Sequence, residues 1–195
     1  MIGAVGTYLL CPQVRLWAHA VDVTKLSTVQ RVDASTYDPE WFDAARAGRI
    51  DILQALHDAH YPIDRQNASG YTAVILAAYD KQPAALDYLL SAGANPCIAD
   101  HNGNSALMGA IYKGHEVEAQ RLMRSGCPID QTNKAGETAL AFAVLFGRKG
   151  LVEDLFHLGA RLDSRDAHGQ TPMAIASKQG DVDMLRVLSD LGATN

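Results

Sequence analysis

The chain has 195 residues, 48% of them hydrophobic and 20% charged, with a formal net charge of −5. That apolar share supports a packed core and excludes an intrinsically disordered chain. No Lys/Arg cluster exceeds short pairs such as Arg148-Lys149, which excludes the basic face that nucleic-acid binding needs, and no apolar run approaches the ~20 residues of a membrane span.

Residues 1–36 form an N-terminal segment of their own character. The stretch MIGAVGTYLLCPQVRLWAHA (residues 1–20) combines an apolar run from Met1 to Cys11 with an Ala18-His19-Ala20 ending, the outline of a secretory signal and its cleavage site. No Lys or Arg precedes the run, and Arg15 and His19 interrupt the approach to the site. An apolar element that packs on the body of the protein is the alternative.

From Tyr37 onward the chain repeats itself. GYTAVILAA starts at Gly70, GNSALMGAI at Gly103, GETALAFAV at Gly136 and GQTPMAIAS at Gly169, each 33 residues after the last. A second glycine series, Gly93, Gly126, Gly159 and Gly192, keeps the same interval. A third runs Gly48, Gly114, Gly147 and Gly180, with Lys81 in the missing slot. Asn67, Asp100, Asn133 and Asp166, three residues before the first series, are turn formers whose side chains bond the local backbone. Thr72, Ser105, Thr138 and Thr171 stand where a helix N-cap needs a hydroxyl acceptor.

Ala77, Ala110, Ala143 and Ala176 let the first helices approach closely. The second helices place Leu86, Leu89 and Leu90; Val117 and Leu122; Val152, Leu155 and Phe156; and Val182, Leu185 and Leu188 at spacings of three and four, predicting one buried face. An earlier unit starts near Tyr37, with Asp38 as cap, Pro39 in the first turn and Trp41 in the core position. Lys81 is expected to sit in a left-handed turn, at a cost of about 1–2 kcal/mol.

A 33-residue period built from a turn, a capping hydroxyl and a small-residue helix resembles the ankyrin-repeat family. The resemblance covers Tyr37 to Asn195 and implies an all-α ankyrin-repeat solenoid, helix-turn-helix repeats linked by β-hairpin loops. About five repeats are expected, near 37–69, 70–102, 103–135, 136–168 and 169–195. A compact array with no attached effector domain looks similar to small bacterial ankyrin proteins, some of them exported.

PCIADHNGNS (residues 96–105) gathers Cys97, Asp100, His101, Asn104 and Ser105, the residue types of a catalytic site. In register, however, Asp100-His101-Asn102-Gly103 is a hairpin like Asn67-Ala68-Ser69-Gly70, and exposed residues at a tip are not held as a nucleophile and its base must be. His57 and His60 lie three apart without an evident third ligand, so a helix C-terminus, which favours partly positive side chains, explains them better than a metal does. No phosphate-binding glycine loop is present. Neither catalysis, a metal nor a cofactor is expected.

Cys97 and Cys127 fall in the loops that leave the second helices of neighbouring repeats, three residues short of a full period apart. A disulfide between them, tying repeat two to repeat three, and two separate buried thiols both fit the sequence. A bond, together with a signal at residues 1–20, would indicate an exported or periplasmic protein; their absence would indicate a cytoplasmic one.

Between its helices the family exposes two variable residues on a concave face, and the resemblance implies that this face binds a protein partner. Here the pairs are Arg46-Ala47, Tyr79-Asp80, Tyr112-Lys113, Leu145-Phe146 and Lys178-Gln179. Tyr79, Tyr112 and Leu145 share a register with Phe146 adjacent, an apolar stripe across three repeats. Tyr71, His101, Asn104, Lys134, Glu137 and Gln170 extend the footprint at the hairpin tips. A non-catalytic protein-binding monomer is therefore expected, with an accessory stabiliser or inhibitor of a periplasmic enzyme as the alternative.

Overall fold

The computed structural model describes residues 33–194; the signal-like stretch 1–20 lies outside the described residues. Among those described, a 3-10 turn at Ala34–Tyr37 is followed by ten helices in five pairs. These are α1 (Asp38–Ala47) with α2 (Ile50–Asp58), α3 (Ala73–Tyr79) with α4 (Pro83–Ser91), and α5 (Ala106–Lys113) with α6 (Glu116–Met123). They continue with α7 (Ala139–Leu145) and α8 (Lys149–His157), then α9 (Pro172–Gln179) and α10 (Val182–Asp190). The first helices pack on one another in series and the second helices form a row behind them. This is the all-α solenoid that the period predicts.

Each repeat starts from the same local chemistry. The hydroxyls of Thr72, Ser105, Thr138 and Thr171 accept the backbone N–H groups of Ile75, Met108, Ala141 and Ala174 at 3.2–3.3 Å. All four capping side chains are buried, so their hydrogen bonds are what makes a polar group tolerable there. Ala44, Ala77, Ala110, Ala143 and Ala176 are buried between first helices, while Leu53, Leu86, Ala119 and Val152 fill the space behind. Val117 and Val182, read from their spacing as core residues, are instead exposed at 54% and 65%. At 100° per residue, position 117 falls on the solvent face with Ala84, Gly150 and Asp183, and α6 buries Ala119 and Met123 in its place.

One core position carries a carboxyl group. Ile52, Ala85, Leu151 and Met184 share a register, and repeat three puts Glu118 there, 1% exposed, with its Oε1 making no hydrogen bond. A buried acceptor without a partner costs about 1–3 kcal/mol, more when it is charged.

Two left-handed slots lack glycine. Lys81 has φ 58°, matching Gly48, Gly114, Gly147 and Gly180 at 67–72°, as its register predicts. His60 has φ 65° and stands 33 residues before Gly93, in the slot of the second glycine series. The strained turn, rather than a ligand role, is thus the structural feature of His60.

The junctions between repeats are built from the turns. In each hairpin an Asx side chain accepts two backbone N–H groups: Asn67 from Ser69 and Tyr71, Asp100 from Asn102 and Asn104, Asn133 from Ala135 and Glu137, Asp166 from His168 and Gln170. The next tip then bonds to the last: His101 N–H donates to the Ser69 carbonyl, Lys134 to Asn102 and Ala167 to Ala135, at 2.8–3.1 Å. A β-carbon at Gly70, Gly103 or Gly136 would lie 2.6–2.8 Å from the neighbouring tip's backbone nitrogen, so only glycine permits this approach.

A second staple lies at the far loops. Asp64 accepts the N–H of Asn95, Asp130 that of Arg161 and Asp163 that of Thr194, each 31 residues on in the following repeat. At the junction between repeats two and three this bond is impossible, because the residue 31 after Cys97 is Pro128, which has no N–H. There the acceptor position holds Cys97, and the small residue beside the missing donor, Ala94, Ala160 or Ala193 elsewhere, is Cys127. Their sulfurs stand at disulfide-bonding distance, with Cα atoms 5.4 Å apart. A sulfur pair thus occupies the junction that lacks the aspartate staple, where the Gln131 amide also donates to the Cys97 carbonyl at 3.1 Å.

Four measurements check these points. Lys81→Gly is expected to raise the melting temperature, by the equivalent of about 1 kcal/mol; a fall would mean that the lysine itself makes a stabilising contact. Glu118→Met, the residue repeat five uses, is expected to add about 1–3 kcal/mol in a denaturant titration. Reduction with a dithiol is expected to cost the oxidised protein about 3.7 kcal/mol, as closure of a loop spanning 30 residues implies. Cys97→Asp combined with Pro128→Asn should make stability insensitive to the dithiol while recovering part of that loss.

Candidate protein-binding surface

The exposed face of the first-helix row carries three rings in contact. Tyr79 ends α3, Tyr112 lies in the last turn of α5 and Phe146 caps α7. The Tyr79 and Tyr112 rings stack with centroids 6.1 Å apart and planes 16° from parallel. Phe146 meets Tyr112 edge-on at 4.9 Å, and Phe142 meets Phe146 at 5.7 Å. The ammonium of Lys113 sits 4.8 Å from the centroid of the Tyr79 ring, within cation–π range. Tyr79 is 36% and Tyr112 46% exposed, although both belong to helices whose other faces are core. Burial, followed by the neighbouring Tyr112 and Tyr71 hydroxyls and then Asp80, pushes the Tyr79 hydroxyl above the ordinary phenol range.

The two tyrosines share a register and stack, whereas in repeat four the ring contact is made by Phe146, one residue past the matching Leu145. Leu145 is half-buried against the core, and Phe146 makes the ring contact with Tyr112. Two residues of this surface were not anticipated from the sequence. Position 76 is Leu76, position 142 is Phe142 and position 175 is Ile175, yet the same register in α5 is Gly109. Inside a helix glycine costs about 1 kcal/mol relative to alanine. A β-carbon at Gly109 would lie 3.5 Å from Cδ2 of Tyr79, ordinary van der Waals contact. The row of large side chains is therefore interrupted at Gly109, beside Tyr79 and one repeat away from Phe142. The signal for it was present in GNSALMGAI, as a glycine in a slot that its counterparts fill with large apolar groups.

At the hairpin tips the structure separates the proposed contact residues. His101 and Lys134 are exposed. Asn104 and Gln170 instead turn their amides onto Asp100 and Asp166 at 3.2 and 3.1 Å, and Glu137 accepts from Asn133 at 2.8 Å. Tyr71 is packed against the core. Asp80 is half-buried after α3, and Lys178 is exposed while donating to Gln170 at 2.8 Å.

The cluster in PCIADHNGNS resolves into the same parts. Asp100 holds its turn, Ser105 caps α5, the His101 N–H links two tips and Cys97 faces Cys127. Among the described residues no three His, Cys, Asp or Glu side chains converge as metal ligands would, His57 and His60 included. No described helix is long and apolar enough to cross a membrane.

Comparison with known proteins agrees with this architecture. The family model for ankyrin repeats (3 copies) matches residues 41–119 and again 118–195. The mouse protein named ankyrin repeat and SAM domain-containing protein 6 is 31% identical over 93 residues, which are 47% of this chain and 10% of that protein. Ankyrin repeats are generally non-catalytic modules for protein–protein interaction. The chain belongs to the ankyrin-repeat family.

Proposed function

We propose that this chain is a non-catalytic module that binds a protein partner across the exposed face of its first-helix row. Tyr79, Tyr112 and Phe146 form the centre of the contact, with Asp80, Lys113, Leu145 and Lys178 around them and His101 and Lys134 at the adjoining tips. One observation carries the reading: rings from three successive repeats touch in an unbroken line, with Tyr79 and Tyr112 open to solvent and Phe146 half-buried beside them. Aromatic side chains preorganised in this way bury a large area at little cost in conformational freedom, which is why they recur as anchors of interfaces. Each ring also sits at a helix end, where the stacked repeats hold the backbone fixed.

Crosslinking in the native host followed by co-purification is expected to capture a partner with the wild-type chain. The double variant Tyr79→Ala/Tyr112→Ala is expected to lose that partner while losing only about 1 kcal/mol of stability, the worth of one exposed ring pair. Undiminished capture by a folded double variant would place the binding surface elsewhere on the array.

A further inference from the structure

The aromatic line is incomplete in a particular way, and its surroundings are charged in a particular way. Gly109 leaves a gap in the row that Leu76, Phe142 and Ile175 otherwise fill, bordered by the Tyr79 ring. Of the first-helix row that presents this face, α3, α5, α7 and α9 contain no carboxylate and their only charges are Lys113 and Lys178, whereas α1 at the end of the row carries Asp38, Glu40, Asp43 and Arg46. The second helices α2, α4, α6, α8 and α10 each carry Asp or Glu. A chain of net charge −5 has thus kept acidic side chains out of the first helices of repeats two to five. Asp80, just beyond α3, is the exception beside the rings.

We infer that the surface receives an acidic segment of a partner protein, which lodges one apolar side chain in the gap over Gly109 and sets its carboxylates toward Lys113 and Lys178. The inference rests on the reading of this face as the binding surface and names the chemistry of what it binds. An apolar side chain placed there covers the only backbone in the row not shielded by a large side chain and completes the line from Tyr79 to Phe142. Lys113 beside the Tyr79 ring, and Lys178 farther along the row at the end of α9, supply complementarity that steers an acidic partner and repels a basic one. Within this chain, residues 1–32 are a poor match for the same place, because Arg15, Lys25 and Arg31 outnumber Asp22. The occupant is therefore a second protein.

Selection of a random peptide library on the full chain tests this directly. Enriched peptides are expected to carry Asp or Glu around a Leu, Ile, Met or aromatic residue. Their affinity is expected to fall at least tenfold on Gly109→Leu, which fills the gap, and on Lys113→Glu. Gly109→Ala should retain binding, because its added carbon makes only an ordinary contact with Tyr79. All three variants are to be checked for wild-type melting. Basic or uncharged consensus peptides, no enrichment, or acidic peptides indifferent to Gly109→Leu would each overturn the inference. So would self-association that competes with the peptides and is lost in Gly109→Leu, since the occupant would then be a second copy. Peptides that bind Tyr79→Ala/Tyr112→Ala undiminished would overturn the binding surface itself. Peptides that need the tyrosines but no carboxylate would overturn only the chemistry proposed here.

Discussion

The array depends on one short distance. Each hairpin tip after the first donates a backbone N–H to the tip before it, and that bond can close only because a glycine, not a side chain, faces the incoming backbone. The 33-residue period is the consequence: whatever else varies, the tip must return at the same height with its donor in place. An Asx side chain holds each tip in shape from within, and a buried hydroxyl starts the helix two residues after the glycine. Helix packing then follows from these constraints, since the alanines of the first row and the leucines of the second are brought into register without further choice. A unit of this kind has no core of its own and gains one only from its neighbours.

The recurrent parts of the fold were legible in the sequence because they use residue types with few alternative reasons to recur. Glycine at three fixed phases, a hydroxyl at a fourth and Asx at a fifth specify turns and caps directly. What stayed illegible was angular position within the second helices. Val117 and Val182 have the hydrophobicity of core residues, but a helix of eight or nine residues allows an error of one position, and 100° is enough to turn a side chain from core to solvent. His60 escaped for a different reason. A histidine near a helix end suggests its own chemistry, and only comparison with Gly93 reveals that its backbone conformation is the feature the position requires.

For the surface, the tyrosines were legible because they share a register, whereas Gly109 was hidden among glycines that the turns explain. It is a glycine without a positive φ, in the middle of a helix, and so has no backbone reason to be there. Its effect is to remove volume from a row whose other members, Leu76, Phe142 and Ile175, are buried or half-buried, and the Tyr79 ring borders the place. The tip residues show the converse. Asn104, Glu137 and Gln170 look available for a partner in the sequence, but their side chains brace their own turns, leaving Lys134 and His101 as the exposed groups.

The sulfur pair at the second junction joins the same two repeats that carry Tyr79 and Tyr112. In a one-dimensional stack, unfolding proceeds by peeling from either end, and each junction can part once its outer neighbour has gone. A covalent tie between repeats two and three removes that freedom at one place. With the bond formed, repeat one can fray from one end and repeats four and five from the other, while the tied pair stays adjacent until it melts as a unit. The stacked tyrosines would then be the last part of the surface to lose its shape.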